Sequence, residues 1–79
     1  MSDQTTPGPD SVPPGQYRHF KGGRYYVDGV ARVEADPDQM VVVYRALSDG
    51  TLWTRPIESF TGTVEVDGAT VRRFERIGD

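Results

Sequence analysis

The chain contains no cysteine, which removes disulfide staples, thiolate metal ligands and a cysteine nucleophile together and suits a reducing cytoplasm. It has one histidine, His19, so no second imidazole is available to a metal ion. The longest apolar run, Met40 to Tyr44, is far too short to cross a bilayer, and no membrane partner is expected. Met1 to Pro14 lacks both the basic and the apolar region of a signal peptide. Charge of one sign is scarce as well. The net charge is -3, and once Asp3 and Asp10 are set aside, ten acids meet nine bases. The global positive excess of a non-specific nucleic-acid binder is missing. No eleven-residue window carries a sustained helical stripe.

What is present divides unevenly. Residues 1–14 hold four prolines, no aromatics and only Met1 and Val12 as sizeable apolar groups. Such a segment buries too little to offset its ordering entropy, and it reads as a flexible Pro-rich leader with Val12 to Pro14 lying on the domain. A Pro-rich ligand for an aromatic groove is the alternative role for this stretch. Residues 15–79 form the second unit. A domain of about 65 residues buries only about 60% of its unfolded surface, which leaves no room for a large enclosed active site.

From Gly15 onward the punctuation is that of strands and tight turns. Gly22-Gly23, Asp28-Gly29, Asp49-Gly50 and Asp67-Gly68 separate runs rich in β-branched and aromatic residues: Tyr25 to Val33, Met40 to Leu47, Thr51 to Arg55, Thr61 to Val66 and Thr70 to Ile77. Asp28-Gly29 lies inside a long run, where a bulge or sharp bend competes with a turn. Ser48-Asp49-Gly50 and Asp67-Gly68 read as hairpin loops. Val41, Val42 and Val43 are consecutive, which predicts a strand covered on both faces or at the centre of a closed sheet. Arg55 to Phe60 reads as one short 3-10 turn, opened by Pro56, with Ile57 and Phe60 on its inner side. Five to six short antiparallel strands in so few residues predict a small barrel, since closure removes exposed edges.

The chemically crowded segment runs from Gly15 to Tyr26, with four aromatics, His19 and the cations Arg18, Lys21 and Arg24. If Tyr17 to Lys21 is a strand, alternation puts Tyr17, His19 and Lys21 on one exposed strip, Phe20 in the core and Arg18 inward or at a rim. Trp53 and Arg55 share a face of a later strand. There the guanidinium would lie against the indole or rim a groove beside it, unless Trp53 plugs an end of the barrel.

At these residues the chain resembles a bacterial family known as DUF1653, a domain of unknown function. The resemblance is carried by Gly15-x-Tyr17-Arg18-His19-Phe20-Lys21-Gly22, Tyr26-Val27-x-Gly29-x-Ala31-Arg32, Val42-Val43-Tyr44-x-x-Leu47, Trp53-x-Arg55-Pro56-x-x-x-Phe60 and Val71-x-Arg73-Phe74-x-x-Ile77. It spans the whole of residues 15–79 and implies an SH3-like barrel. It implies no activity. In one place the chain departs from the family pattern: Val33-Glu34-Ala35-Asp36 stands where a His-Ser-Glu-Thr stretch is expected. A shared site built on that stretch would lack a histidine and two hydroxyls here.

Catalytic readings find little support. Glu34, Asp36 and Asp38 lack the spacing and glycine of a calcium loop and read as a solvated acidic loop. Ser11, Ser48 and Ser59 have no activating base in view. Gly22-Gly23 precedes a strand, not a helix, so a phosphate-binding helix terminus is absent. His19 titrates near neutrality but has no orienting partner in the sequence. No metal and no cofactor are expected. The composition and the analogy with peptide-binding SH3-type barrels together favour a non-enzymatic, cytoplasmic binding module that takes a peptide, partner protein or small ligand. Its candidate site residues are Tyr17, Arg18, His19, Lys21, Trp53 and Arg55, with Tyr25 and Tyr44 as further groove lining. A single-stranded nucleic-acid site is the second reading, because rings stack on bases and Arg and Lys meet phosphates. A small enzyme using His19 is the third.

Overall fold

The structure is a computed structural model and describes residues 8–79. The sequence expectation of a flexible leader falls partly on residues 1–7, outside the described residues. Within the described part, Pro9–Ser11 forms a 3-10 turn and the chain then makes seven strands. These are β1 (Gly15–His19), β2 (Arg24–Val33), β3 (Asp36–Ala46), β4 (Leu52–Pro56), β5 (Thr63–Val66), β6 (Ala69–Arg72) and β7 (Phe74–Gly78). A single α-helical turn, α1 (Ile57–Phe60), follows β4 directly. Pro56 stands at its N-cap, as its fixed φ suits. The turn is α-helical, not 3-10.

Five strands make one antiparallel sheet in the order β4-β3-β2-β1-β7, while β5 and β6 pair only with each other. The SH3-like barrel expected from the sequence is therefore not formed: no ladder joins β4 to β7, and the sheet is open. Two features explain why closure is not needed. Ile57 and Phe60 of α1 are 0% and 1% exposed, so the helical turn covers the apolar face that a closing strand would otherwise cover. The two edges are blunted in other ways. β4 is five residues long and ends at Pro56, which has no N–H to offer, and β7 carries Glu75 and Arg76.

The core is largely aromatic. Phe60 and Phe74 stack with centroids 4.1 Å apart and planes 6° apart. Tyr17 and Tyr44 meet Phe60 edge-on at 5.4 and 5.3 Å. Val12, Val27, Met40, Val42 and Ile57 complete the cluster. Along β3 the burial alternates, with Met40, Val42 and Tyr44 inside and Val41 and Val43 half-exposed. The three consecutive valines thus belong to an ordinary one-sided strand, not to one covered on both faces.

Local turn chemistry sets the rest. Asp67 and Gly68 both take positive φ, 52° and 81°, the pairing that a two-residue hairpin loop requires. The run at Asp28-Gly29 resolves as a register shift within the β2–β3 ladder, a bulge, where Arg45 holds the Asp28 carboxylate at 2.9 and 3.1 Å. At the start of β1, Gly15 has φ +143°, and a Cβ there would lie 2.5 Å from the Gly78 carbonyl oxygen. Only glycine lets β1 and β7 approach so closely. The segment before β1 is tied down too. Val12 is buried, the Tyr17 hydroxyl donates to Pro13 O at 2.8 Å, and Arg76 donates to Pro14 O at 2.9 Å.

Candidate functional site

Alternation along β1 runs opposite to the sequence expectation. Tyr17 is buried in the core and His19 is half-buried on the same face, while Arg18 points outward and pairs with Glu75 at 3.1 Å. The offset follows from Tyr17, whose ring fills the space against Phe60 while its hydroxyl reaches a backbone acceptor. Burial holds the Tyr17 phenol above its ordinary range, with the Arg76 charge opposing. Phe20 lies just beyond the strand and is half-buried beside His19, with ring centroids 4.6 Å apart. Lys21 is exposed, its ammonium 5.8 Å from the centroid of the Phe20 ring. Of the expected Tyr17, His19, Lys21 strip, only Lys21 is fully exposed.

His19 sits over the aromatic floor of the domain. Its ring meets Phe74 edge-on at 4.9 Å and Tyr25 at 6.5 Å. Its Nδ1 accepts the Lys21 N–H at 3.1 Å, a bond that only an unprotonated Nδ1 can make. Desolvation first, then the charges of Arg55, Arg73 and Lys21, lower its pKa below the usual 6.5. The imidazole is thus kept neutral in a positively charged setting. Among the described residues no carboxylate bonds to its ring; Glu75, which lines the same hollow, is paired with Arg18.

Trp53 and Arg55 occupy alternate positions of β4, directly opposite Tyr44 and Val42 of β3, and therefore share the core-side face of the sheet. Trp53 does not plug an end of the fold, because it is 51% exposed. Tyr25, Tyr44, Trp53 and Arg55 line a hollow of about 220 Å³ at the rim of that face. The Arg55 guanidinium lies over Phe74, 5.7 Å from the ring centroid, and donates from Nη1 to Ser59 Oγ at 2.9 Å. It stacks on Phe74 and not on the Trp53 indole. A second, larger hollow of about 430 Å³ lies between the β1–β2 turn and the β5–β6 hairpin, with His19, Phe20, Val66 and Val71 in its wall. Phe74 lies beneath both His19, in the wall of the larger hollow, and Arg55, in the wall of the smaller.

β4 is also a free sheet edge. Ala46 N–H donates to Thr51 O and Gly50 N–H to Ala46 O. Stepping by two residues along that register turns the backbone groups of Trp53 and Arg55 toward β3, and those of Leu52 and Thr54 outward. This edge therefore presents unpaired donors and acceptors, with exposed Trp53 on the face of the hollow and exposed Leu52 on the other face, across from Arg45.

One residue of this region belongs to a motif that carries the resemblance but not to the candidate site residues read from the sequence. Arg73 lies between β6 and β7, in what reads from the sequence as one continuous strand. Its backbone ties the two sheets: its carbonyl accepts Phe20 N–H at 2.9 Å and its N–H donates to Gly62 O at 3.0 Å. The Arg72-Arg73 doublet before Phe74, two cations where alternation allows one outward position, is the signal that marks the break. Among the described residues no cluster of three metal-ligating side chains occurs. The stretch that departs from the family pattern, Val33 to Asp36, lies at the far end of the β2–β3 hairpin. At about 3.3 Å per residue it is roughly 25 Å along β2 from Tyr25.

The fold defines an open, five-stranded antiparallel sheet domain with an aromatic core capped by one helical turn. Residues 15–76 match the model of a family described as a protein of unknown function, DUF1653. The chain belongs to that family. A solved relative, a protein of the same family from Bordetella bronchiseptica, is 31% identical, and the alignment covers 90% of this chain and 94% of the relative with a TM-score of 0.81. No curated protein matches the chain. No described helix is long and apolar enough to cross a membrane.

Proposed function

We propose that this domain is a non-enzymatic binding protein that captures an extended peptide segment of a partner protein along β4. The reading is carried by one observation: Trp53, half-exposed, stands beside Tyr25, Tyr44 and Arg55 in a hollow that opens onto an unpaired strand edge. An extended segment would pair its backbone with the outward groups of Leu52 and Thr54 and set an apolar or aromatic side chain in the hollow. Backbone pairing supplies affinity along the edge, and the rings supply selectivity. We take the domain to work in the cytoplasm, a reading supported by its cysteine-free composition. The neutral His19 lacks an acidic orienting partner, so the arrangement favours binding over acid–base turnover.

Titrating the protein with a panel of blocked extended peptides while following Trp53 fluorescence tests the proposal. Saturable changes are expected in the parent, and binding followed by calorimetry should be lost in Trp53→Ala, whose substitution removes the single indole, with the fold intact by circular dichroism, and retained in Ile77→Ala on the opposite edge. Equal loss in both variants, or a panel that leaves the indole unperturbed, would overturn it.

A further inference from the structure

We infer that the groove selects a segment bearing a carboxylate, seated between the guanidinium groups of Arg55 and Arg73 beside His19. This deepens the peptide-binding reading and rests on it.

Three observations converge on the same ground. First, neither arginine has a counter-ion. The ion pairs of the described residues are Arg18 with Glu75, Arg45 with Asp28 and Arg76 with Asp79, all elsewhere. Second, Arg55 Nε and Arg73 Nε are both shielded from water and without a hydrogen-bond partner. A shielded donor left unmade is costly; both side chains are only half-buried, so either guanidinium can turn its Nε–H outward to meet a planar, two-oxygen anion. Third, both arginines come to the same imidazole: Arg73 directly precedes Phe74, and its carbonyl accepts the N–H of Phe20, the residue after His19, at 2.9 Å, and both charges oppose protonation of His19. His19 and Arg55 also lie over the same Phe74 ring, at 4.9 and 5.7 Å. The cations are thus gathered at one point of the molecule, although the chain as a whole carries a net charge of -3.

The surroundings indicate a carboxylate on a peptide more than a phosphate on a nucleic acid. The protein's overall negative charge opposes a polyanion, whereas a single carboxylate meets only the local field. The adjoining hollow is lined by Tyr25, Tyr44 and Trp53 and suits an apolar side chain next to the acid. The free edge of β4 suits an extended backbone between them. The seat would therefore read an acidic side chain, or a terminal carboxylate, within a segment that also places an aromatic or aliphatic group on Trp53.

The test uses the full chain, labelled with ¹⁵N, with the Nε–H resonances of Arg55 and Arg73 and the indole N–H of Trp53 as reporters. It is titrated at constant ionic strength with sodium acetate, and with extended peptides containing Asp or Glu and their Asn or Gln counterparts. Acetate is expected to move both arginine resonances. The acidic peptides should bind at least about tenfold tighter than their amides, as one charge-assisted pair warrants. Arg73→Gln should reduce that preference to within about twofold, and Arg73→Lys should retain part of it. Acid and amide peptides binding equally at Trp53 would overturn the carboxylate seat while leaving the peptide groove standing. Arginine resonances that respond to acetate while no peptide reaches Trp53 would keep the anion seat and remove the groove. Short oligonucleotides binding more tightly than the acidic peptides would overturn the assignment to a carboxylate. Arginine resonances indifferent to acetate and to acidic peptides would overturn the seat itself.

Discussion

Replacing Phe60 by alanine is expected to remove a large share of this domain's margin, because Phe60 joins the helical turn to the sheet and the candidate site to the core. The side chain is 1% exposed, stacks on Phe74 at 4.1 Å, and meets Tyr17 and Tyr44 edge-on. Deleting a buried phenylalanine costs about 3–5 kcal/mol in transfer and cavity terms. A chain of this length has roughly 4–10 kcal/mol in total. The variant should therefore lose roughly a third or more of its stability, with a urea midpoint reduced in proportion at an unchanged slope. Trp53→Ala is the internal control. Although its residue is larger, it is half-exposed, and the loss should be below about 1.5 kcal/mol. Both variants are read by far-ultraviolet circular dichroism, which does not depend on the indole. A loss below about 1 kcal/mol for Phe60→Ala, or equal losses for the two, would refute the account in which α1 closes the core and Trp53 lies outside it.

Gly15→Ala should lower stability by roughly 1–3 kcal/mol or more, since the new Cβ would lie 2.5 Å from Gly78 O at φ +143°; a melting temperature within a degree of the parent would contradict the close β1–β7 approach. Tyr17→Phe should cost about 1 kcal/mol by removing the 2.8 Å bond to Pro13 O, measured by urea denaturation. A variant as stable as the parent would show that this bond does not anchor the segment before β1. His19 should titrate below 6.5 by NMR, and Arg55→Gln or Arg73→Gln should each move its midpoint upward. Since its folded pKa is depressed, its contribution to stability is complete above 6.5 and declines as the pH falls through the folded value. A midpoint at or above 6.5 would contradict the desolvated, cation-flanked setting.

Much of the strand content was legible because its signals are local. The Asp67-Gly68 loop declares its positive φ values, while Asp28-Gly29 inside a β-branched run leaves a bulge or bend in competition with a turn, and the bulge that Arg45 and Asp28 span is what forms. Closure was not legible. Whether β4 meets β7 depends on where α1 directs the chain, and the spacing of Ile57 and Phe60 shows only that the turn is amphipathic. The face assignment of β1 failed for a related reason. Tyr17 and His19 are amphipathic rings that suit either face and Phe20 is apolar, so alternation from Phe20 chooses the register in which Tyr17 is outside, and that choice fails. The choice is made by the space beside Phe60 and by a backbone acceptor, Pro13 O, in a segment that composition assigns to the leader. That Trp53 and Arg55 share a face was readable from their i, i+2 spacing. The gathering of Arg55, Arg73 and His19 over Phe74 was not, since it joins β4, the β6–β7 break and β1 through tertiary packing.

The most direct test of the account is chemical-shift mapping of the labelled domain against separate pools of peptides, oligonucleotides and metabolites. The account predicts that the peptide pool moves the Trp53 indole and the Leu52 and Thr54 amides together, with Tyr25 and His19 following. Shifts confined to the opposite face of the sheet, around Asp28 and Arg45, or a response to oligonucleotides with none to peptides, would contradict it.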